Sequence, residues 1–213
     1  MDYNMQIDCS VIILAAGYSS RMGSPKFALA INSQSNFLEN IIHQYLNIGI
    51  RNIIVVLNSE GEKYIEQHPL RISNPIQLII NEHPEYEKFY SLKLGLSALE
   101  NNGYSFIHPS DLPVVEESTL KEIYGKREEA DFVKPVFNKK GGHPILLSPR
   151  LIKELVNEKK GDWKLNEFLG EYSSCSVEVD DVGILDNINS REEYLVFLEK
   201  IKKENTDDTD FAD

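Results

Sequence analysis

Four short, almost continuous apolar runs constrain the fold of this chain more than any other feature of its sequence. The runs are "SVIILA" (10–15), "NIIVVLN" (52–58), "IQLIIN" (76–81) and "SFIHPS" (105–110). Strands with apolar residues at successive positions are buried on both faces, which is typical of a parallel sheet covered by helices. We therefore predict an α/β fold in which these four runs are strands.

The stretches between the runs have the spacing of amphipathic helices. They are "FLENIIHQYL" (37–46), "GEKYIEQ" (61–67) and "YSLKLGLSALE" (90–100). In the last of these, Leu92, Leu96 and Leu99 fall on one face. Because binding sites of open parallel sheets lie at the carboxyl ends of the strands, we expect the functional site in the loops that follow the runs.

The second half of the chain is less regular. "DFVKPVF" (131–137) and "GGHPILL" (141–147) are predicted strands. Ser148 and Pro149 suit the N-cap and the first position of a helix that continues as "RLIKELVNE" (150–158). We therefore predict a mostly parallel mixed sheet, flanked by helices, with some antiparallel additions.

The C-terminal part of the chain contains one further helix. Ser190 and Glu193 form a capping-box pattern ahead of the periodic stretch 194–204. A chain of 213 residues, 41% of them hydrophobic, is long enough to bury a substantial core, so we predict a single domain over residues 1–204. Residues 205–213 are acidic and are expected to form a disordered tail.

The composition argues against several classes of partner. A net charge of −12 disfavours nucleic acid, because phosphate neutralisation needs a basic surface. No apolar run approaches the roughly 18 residues that span a bilayer, and the N-terminus has no secretion signal, so we expect a cytoplasmic protein that binds no membrane. Cys9 and Cys175 make no disulfide framework. We expect a monomer or small homo-oligomer.

The stretch "VIILAAGYSSRMGSPK" (11–26) ends the first apolar run in a cationic loop of small residues. Gly17 and Gly23 allow close backbone approach, and successive backbone N–H groups favour anions. Arg21 offers a fork suited to phosphate, and Lys26 a compact positive charge. The Walker and GxGxxG patterns are both absent. Composition alone therefore leaves two interpretations, a phosphate-binding loop or a glycine-rich turn with solvated cations.

The segment "LAAGYSSRMGSPK" resembles the signature LAAGxSxRMGxPK of the MobA-like nucleotidyltransferases, a family that includes the enzymes adding a nucleotide to the molybdenum cofactor. The resemblance extends over several motifs, from Val11 to about Leu198. It implies a Rossmann-like nucleotide-diphospho-sugar transferase (GT-A type) fold. It also implies that Arg21 and Lys26 contact the triphosphate as catalytic residues. The nucleotide-binding residues that it implies in this loop are Leu14, Ala15, Ala16, Gly17, Arg21 and Lys26.

Asp111 follows the fourth apolar run in "HPSDLPVV". A carboxylate at a strand end beside a phosphate loop suits Mg²⁺, a hard cation that prefers oxygen ligands. The alternative is a turn-forming aspartate. The segment resembles the DxP metal motif of the family, which implies that Asp111 is both a catalytic residue and a metal ligand.

"LDNINSREEY" (185–194) resembles a late motif of the family. Asn187 and Asn189 replace its two aspartates, and Arg191 replaces its proline. The resemblance implies that Asn189 is a second, neutral metal ligand, with a turn-forming asparagine as the alternative. The expected cofactor is Mg²⁺, with Mn²⁺ also possible, and the loss of a carboxylate leaves more of the metal site to the triphosphate.

Two further motifs concern the substrates. "KKGGHPILL" resembles a GHP motif that lies near the acceptor in the family, which assigns His143 to the acceptor, although a lone histidine is often structural. "GDWKLNEFL" (161–169) would border the same substrate. In "INEHPEYEKFYSLKLGL", Asn81 and Ser91 match nucleotide-binding positions, while Glu87 or Lys88 replaces a glycine of the relatives.

The resemblance implies a nucleotidyltransferase. A small phosphorylated acceptor, such as a molybdopterin-type cofactor, would attack a nucleoside triphosphate and release pyrophosphate. CTP is favoured, because Ala16 stands where guanylyl-transferring relatives tend to have glycine. The alternatives are a sugar- or alditol-phosphate nucleotidyltransferase of the same fold and a non-catalytic nucleotide-binding regulator.

Overall fold

The computed structural model describes residues 7–17, 24–100, 103–159 and 164–207, which form a mixed eight-stranded sheet packed against helices. The strands are β1 (Cys9–Ala15), β2 (Asn52–Leu57), β3 (Gln77–Ile80), β4 (Tyr104–Pro109), β5 (Phe132–Phe137), β6 (Lys140–Gly141), β7 (Ile145–Leu147) and β8 (Ser174–Glu178). The helices are α1 (Phe37–Asn47), α2 (Ser59–Gln67), α3 (Glu87–Ser97), α4 (Glu117–Gly125), α5 (Pro149–Asn157), α6 (Leu165–Leu169) and α7 (Arg191–Asp207).

The strand order is β3-β2-β1-β4-β7-β5-β6, with β8 pairing with β5. The first four strands along the chain pair in parallel, and β7 joins them to β5 through antiparallel pairing. This confirms the predicted α/β class with a mostly parallel sheet and antiparallel additions. None of the helices in the part of the chain that the structure describes is long and apolar enough to cross a membrane.

Each face of the sheet carries its own hydrophobic core. Alternate residues of β1 point to opposite cores, with Val11 and Ile13 in one and Ile12 in the other. Helix α1 covers the first face and helix α3 the second, where Leu92 and Leu96 are buried as their spacing predicts. This two-sided burial is the reason that the strand runs are almost continuously apolar.

Gly95 allows helix α3 to pack directly on the sheet. A Cβ atom at this position would lie 2.5 Å from Cγ2 of Ile12 and 2.9 Å from Cγ2 of Val56. Any larger residue would push the helix away from β1 and β2. Since the first turn of α3 faces the functional site, this close packing also sets the position of that turn.

The predicted helix caps are present. The Ser148 side chain accepts a hydrogen bond from the Leu151 backbone N–H, with Pro149 in the first turn of α5. Ser190 and Glu193 exchange reciprocal side-chain to backbone hydrogen bonds at the start of α7. Such caps satisfy N–H groups that the first helical turn leaves without partners.

Three expectations from the sequence were wrong in detail. β3 is not buried on both faces, because it lies at the edge of the sheet, and Leu78 is 40% exposed. "GGHPILL" is not one strand but divides into β6 and β7, with a cis peptide bond between His143 and Pro144. Strand β8 was missed, since its alternating pattern of exposure is that of a sheet margin rather than of a buried strand.

The last helix extends across the predicted boundary between the domain and the tail. Helix α7 continues to Asp207, past the predicted end of the domain at residue 204. Leu198 and Ile201 pack against the cluster around Phe37, which anchors the preceding turns and lets the helix continue. The rest of the predicted tail, residues 208–213, lies outside the described residues.

Candidate active site

The loops that follow β1 and β4 begin side by side. The two strands are parallel neighbours, with Leu14 opposite Pro109, and the Ser110 N–H donates to the Leu14 carbonyl at 3.0 Å. Gly17 and Asp111 therefore lie at the same edge of the sheet, above the carboxyl ends of its two central parallel strands. A cavity of about 400 Å³ opens at this edge.

Most of the residues predicted to bind the nucleotide or the metal line this cavity. They are Leu14, Ala15, Ala16, Gly17, Lys26, Ser91, Asp111 and Asn189. The prediction for Arg21 lies outside the described residues. The structure thus brings together segments from β1, α3, β4 and the chain leading into α7.

Three hydrogen bonds position the late motif (185–194) at the cavity. The Ile188 N–H donates to the Asp111 carbonyl at 2.8 Å, which places the next residue, Asn189, beside Asp111. Nζ of Lys26 donates to Oδ1 of Asn189 at 2.8 Å. The Asn189 N–H donates to Oε2 of Glu193 at 2.6 Å, so the helix cap of α7 holds the same residue from the other side.

The Asp111 carboxylate has the properties of a cation ligand. Its side chain is partly buried and lines the cavity, and Oδ1 is buried without a hydrogen-bond partner among the described residues. A buried carboxylate oxygen without a partner is costly unless a cation or water satisfies it. A divalent cation between this oxygen and the side chain of Asn189 would meet that need. The residues present therefore fit a metal.

Asn81 supports the cavity wall rather than forming its surface. It is fully buried, its amide nitrogen donates to Oγ of Ser91 at 2.9 Å, and its Oδ1 accepts from the His83 N–H at 2.7 Å. Ser91 lines the cavity, whereas Asn81 does not. Asn81 therefore holds Ser91 in place, and its direct contact with a nucleotide stays a prediction.

His143 lies in a second cavity of about 240 Å³, which shares Leu14, Lys88 and Pro109 with the first. Its backbone N–H donates to the Ile184 carbonyl at 3.1 Å. Its Nδ1 is buried without a hydrogen-bond partner among the described residues. Burial lowers the pKa of the ring, and the positive charge of Lys88 lowers it further. The neutral ring thus has a free nitrogen for hydrogen bonding beside the larger cavity.

His108 supports the segment around Asp111 from within the core, and sequence reasoning missed it. Tyr45 Oη lies 2.9 Å from its Nδ1, and its Nε2 lies 2.8 Å from the Leu112 carbonyl. Since a carbonyl only accepts, Nε2 carries the proton and Nδ1 accepts from Tyr45. Burial lowers the pKa of His108 to about 4, so the ring is neutral and ties the backbone next to Asp111 to helix α1.

Several lining residues were not predicted from the sequence. Phe27, Pro84, Lys88 and Ser110 line the larger cavity. Lys164 and Asn166, which line the smaller one, belong to the segment 161–169 that was expected to border the acceptor. Lys88 had one signal in the sequence, because it falls in the segment where the relatives carry a glycine. Lys164 lies in "GDWKLNEFL", of which residues 161–163 are outside the described part of the chain.

Comparison with known proteins agrees with this arrangement. The family model described as the MobA-like NTP transferase domain matches residues 11–175. The chain belongs to this family. The predicted enzyme class, nucleotidyltransferase, and the predicted fold class are thereby confirmed.

Three similar proteins illustrate the match. The molybdenum cofactor cytidylyltransferase of Escherichia coli (strain K12) is 28% identical over 197 residues, covering 91% of this chain and 96% of that protein. A probable molybdenum cofactor guanylyltransferase of Bacillus mycoides (strain KBAB4) is 24% identical over 196 residues, covering 88% and 94%. The fold matches that of a protein from Mycobacterium tuberculosis H37Rv solved in complex with manganese, with a TM-score of 0.70, 20% identity and coverage of 90% and 98%.

Proposed function

We propose that this nucleotidyltransferase moves a nucleoside monophosphate from a nucleoside triphosphate to a small phosphorylated acceptor, at the junction of the two cavities. The observation that carries the proposal is the meeting of Gly17, Lys26, Asp111 and Asn189 in one cavity at the ends of β1 and β4. Small residues for backbone approach, a cation and two oxygen ligands are the groups that a metal-bound triphosphate requires.

In the proposed reaction, a phosphate oxygen of the acceptor forms a bond to the α-phosphorus, and the bond from that phosphorus to the bridging oxygen breaks. The electron pair leaves with pyrophosphate. No side chain forms a covalent intermediate, because the protein binds, positions and neutralises charge. Lys26 lies close enough to the metal ligands to reach the same phosphates, since it already contacts Asn189.

Asp111 and Asn189 would hold the metal, with Mg²⁺ as the expected ion and Mn²⁺ as an alternative. Bound there, the metal would neutralise charge that develops on the phosphates. Two oxygen ligands leave most of a six-coordinate shell to water and phosphate, so the metal should bind more tightly with the triphosphate than alone. The hydrogen bond from His108 to the Leu112 carbonyl would keep the Asp111 backbone in place while charge develops on the phosphates.

CTP is the proposed nucleotide. Ala16 is only 4% exposed at the end of β1, and its methyl group narrows the space above the strand relative to a glycine. The similar protein from Escherichia coli is named a cytidylyltransferase, and that from Bacillus mycoides a guanylyltransferase. The proposed acceptor is a molybdopterin-type cofactor, in accordance with both names, and His143 is assigned to it. We place the enzyme in the cytoplasm, where its triphosphate substrate is available.

Calorimetry followed by turnover tests the proposal. CTP, GTP, ATP and UTP are first titrated into the full chain with Mg²⁺. Pyrophosphate release is then measured with a molybdopterin-type cofactor and with sugar and alditol phosphates, and with Asp111→Asn as the inactive control. Release with the molybdopterin-type acceptor and CTP supports the proposal. Release only with a sugar or alditol phosphate identifies the other enzyme class, and binding without release for every acceptor identifies a regulator.

A further inference from the structure

The smaller cavity collects positive charge in a strongly acidic protein. The chain carries a net charge of −12, yet the charged side chains lining this cavity in the described part of the chain are both lysines, Lys88 and Lys164. Both are exposed at its edge, one from the first turn of α3 and the other from the residue before α6. Two cations from separate segments that converge on one cavity form a site for an anion.

The lining of this cavity also provides neutral hydrogen-bonding groups and apolar walls. The ring of His143 has a buried Nδ1 without a hydrogen-bond partner among the described residues, and the side chain of Asn166 provides an amide group. The walls are formed by Leu14, Phe89, Ile107, Pro109 and Leu165. A ligand that matches these groups has an anionic end and an apolar or planar body, as an organic phosphate monoester does.

Of the three residues that the two cavities share, Lys88 is the charged one. It lines both of them, and its charge is close enough to His143 to lower the pKa of that ring. An attacking phosphate and a triphosphate repel one another, because both are multiply negative at neutral pH. A cation between them lowers this repulsion at the place where the new bond forms.

We propose that Lys88 and Lys164 bind the phosphate of the acceptor in the smaller cavity, and that Lys88 positions it against the triphosphate in the larger one. This inference rests on the proposed function, because it assigns the acceptor to the second cavity. It identifies the acceptor as a phosphate monoester with an apolar or planar body. It also assigns to Lys88 a role in both substrate sites and to Lys164 a role in one.

The test uses two probes, inorganic phosphate and phenyl phosphate, and the His143 ring as the reporter. The full chain is labelled with ¹³C at histidine and saturated with Mg²⁺ and α,β-methylene-CTP, which cannot release pyrophosphate. The probes are titrated at about pH 8, where a histidine of lowered pKa is neutral. The signal of His143 is assigned from its absence in His143→Gln.

We expect a saturable shift of the His143 signal with both probes, and tighter binding of phenyl phosphate because of the apolar walls. Lys88→Gln and Lys164→Gln should each weaken probe binding about tenfold, while Lys88→Arg retains it. Lys153→Gln, which removes an exposed lysine of helix α5 outside both cavities, should leave binding unchanged. The affinity for the nucleotide analogue should change in Lys88→Gln but not in Lys164→Gln.

Unchanged probe binding in both Lys88→Gln and Lys164→Gln would overturn the assignment of these lysines to phosphate binding. Equal affinity for inorganic phosphate and phenyl phosphate would overturn the proposal that the ligand has an apolar or planar body. A shift that appears when the analogue is left out, but not in its presence, would show that phosphate occupies the larger cavity instead. Failure of the proposed function has a different outcome. It is seen in the calorimetry and the turnover assay, where the wild-type chain binds no triphosphate or releases no pyrophosphate with the molybdopterin-type acceptor, whatever the probes do at His143.

Discussion

The larger cavity, proposed to bind the nucleotide, and the smaller one, proposed to bind the acceptor, adjoin one another but are constructed differently; they are called the nucleotide cavity and the acceptor cavity below. The first is formed at the ends of β1 and β4, where hydrogen-bonded neighbouring strands place Gly17 and Asp111 together. The second takes its polar groups from less regular places, namely the connection between β6 and β7, the residue before α6 and the first turn of α3. The first cavity thus depends on strand pairing and the second on individual side chains.

This difference predicts how substitutions act. Changes in the nucleotide cavity should affect every reaction of the enzyme, because they alter the metal or the triphosphate. Changes in the acceptor cavity should affect acceptor use and leave triphosphate binding intact. Lys88 is the exception among the charged residues, because it lines both cavities.

The largest effect is expected from Asp111→Asn. The substitution removes a negative charge from the proposed metal site, and turnover should fall about a hundredfold or more, since charge stabilisation in such sites is worth several kcal/mol. Part of the loss should return at high Mn²⁺, because manganese binds such ligands more tightly than magnesium. Pyrophosphate release against metal concentration measures both effects. Asp180→Asn, an exposed carboxylate outside both cavities, is the control, and full activity of Asp111→Asn would contradict the metal assignment.

Lys26→Ala should weaken triphosphate binding about thirtyfold, which corresponds to a charge-assisted hydrogen bond of about 2 kcal/mol. The loss should not respond to added metal, in contrast to that of Asp111→Asn. Calorimetry with CTP at two metal concentrations measures it. Lys121→Ala, on the surface of α4, serves as the control. Wild-type CTP affinity in Lys26→Ala would mean that the role of Lys26, including its contact with Asn189, is structural.

The buried His108 should make stability depend on pH. Its pKa is lowered from 6.5 to about 4, so between these values the unfolded chain binds a proton that the folded chain does not. The free energy of unfolding should therefore fall as the pH drops through this window, by about 1.5 kcal/mol between pH 6.5 and about pH 5.

Denaturant unfolding at several pH values measures this dependence. His108→Gln should be less stable at neutral pH, because it loses the hydrogen bonds to Tyr45 and Leu112, but its stability should change less with pH. His43→Gln, at an exposed position of α1, should keep the wild-type slope. A wild-type slope in His108→Gln would show that other groups cause the pH dependence.

His143→Ala tests the acceptor cavity. The loss of one neutral hydrogen bond should lower kcat/KM for the acceptor about fivefold, with CTP binding unchanged within about threefold. Steady-state kinetics with an acceptor that supports pyrophosphate release measures kcat/KM, and calorimetry measures the affinity for CTP. His43→Ala is the matched control at an exposed position. An equal loss of CTP binding would move His143 out of the acceptor site.

The smallest expected effect is the choice of base. CTP should bind about threefold more tightly than GTP, because the Ala16 methyl narrows the space above β1. Competition calorimetry measures the ratio of the CTP and GTP affinities, and Ala16→Gly should reduce this preference for CTP. Equal or tighter binding of GTP to the wild-type chain would end this proposal.

The sequence by itself determined the parts of the protein that depend on local pattern. The strand runs, the face of Leu92 and Leu96 and the caps at Ser148 and Ser190 could be predicted, because burial and capping act over a few neighbouring residues. Gly17 and Asp111 could be expected at the same edge of the sheet, because the carboxyl ends of parallel strands lie together.

Only the tertiary structure decided which distant residues meet. The hydrogen bond from the Ile188 N–H to the Asp111 carbonyl brings Asn189 beside Asp111, and Lys26 donates a hydrogen bond to the side chain of the same Asn189. The place of Lys88 between two cavities depends on the packing of α3 on the sheet through Gly95. These contacts join segments far apart in the chain, and no local periodicity encodes the path by which the chain returns to them.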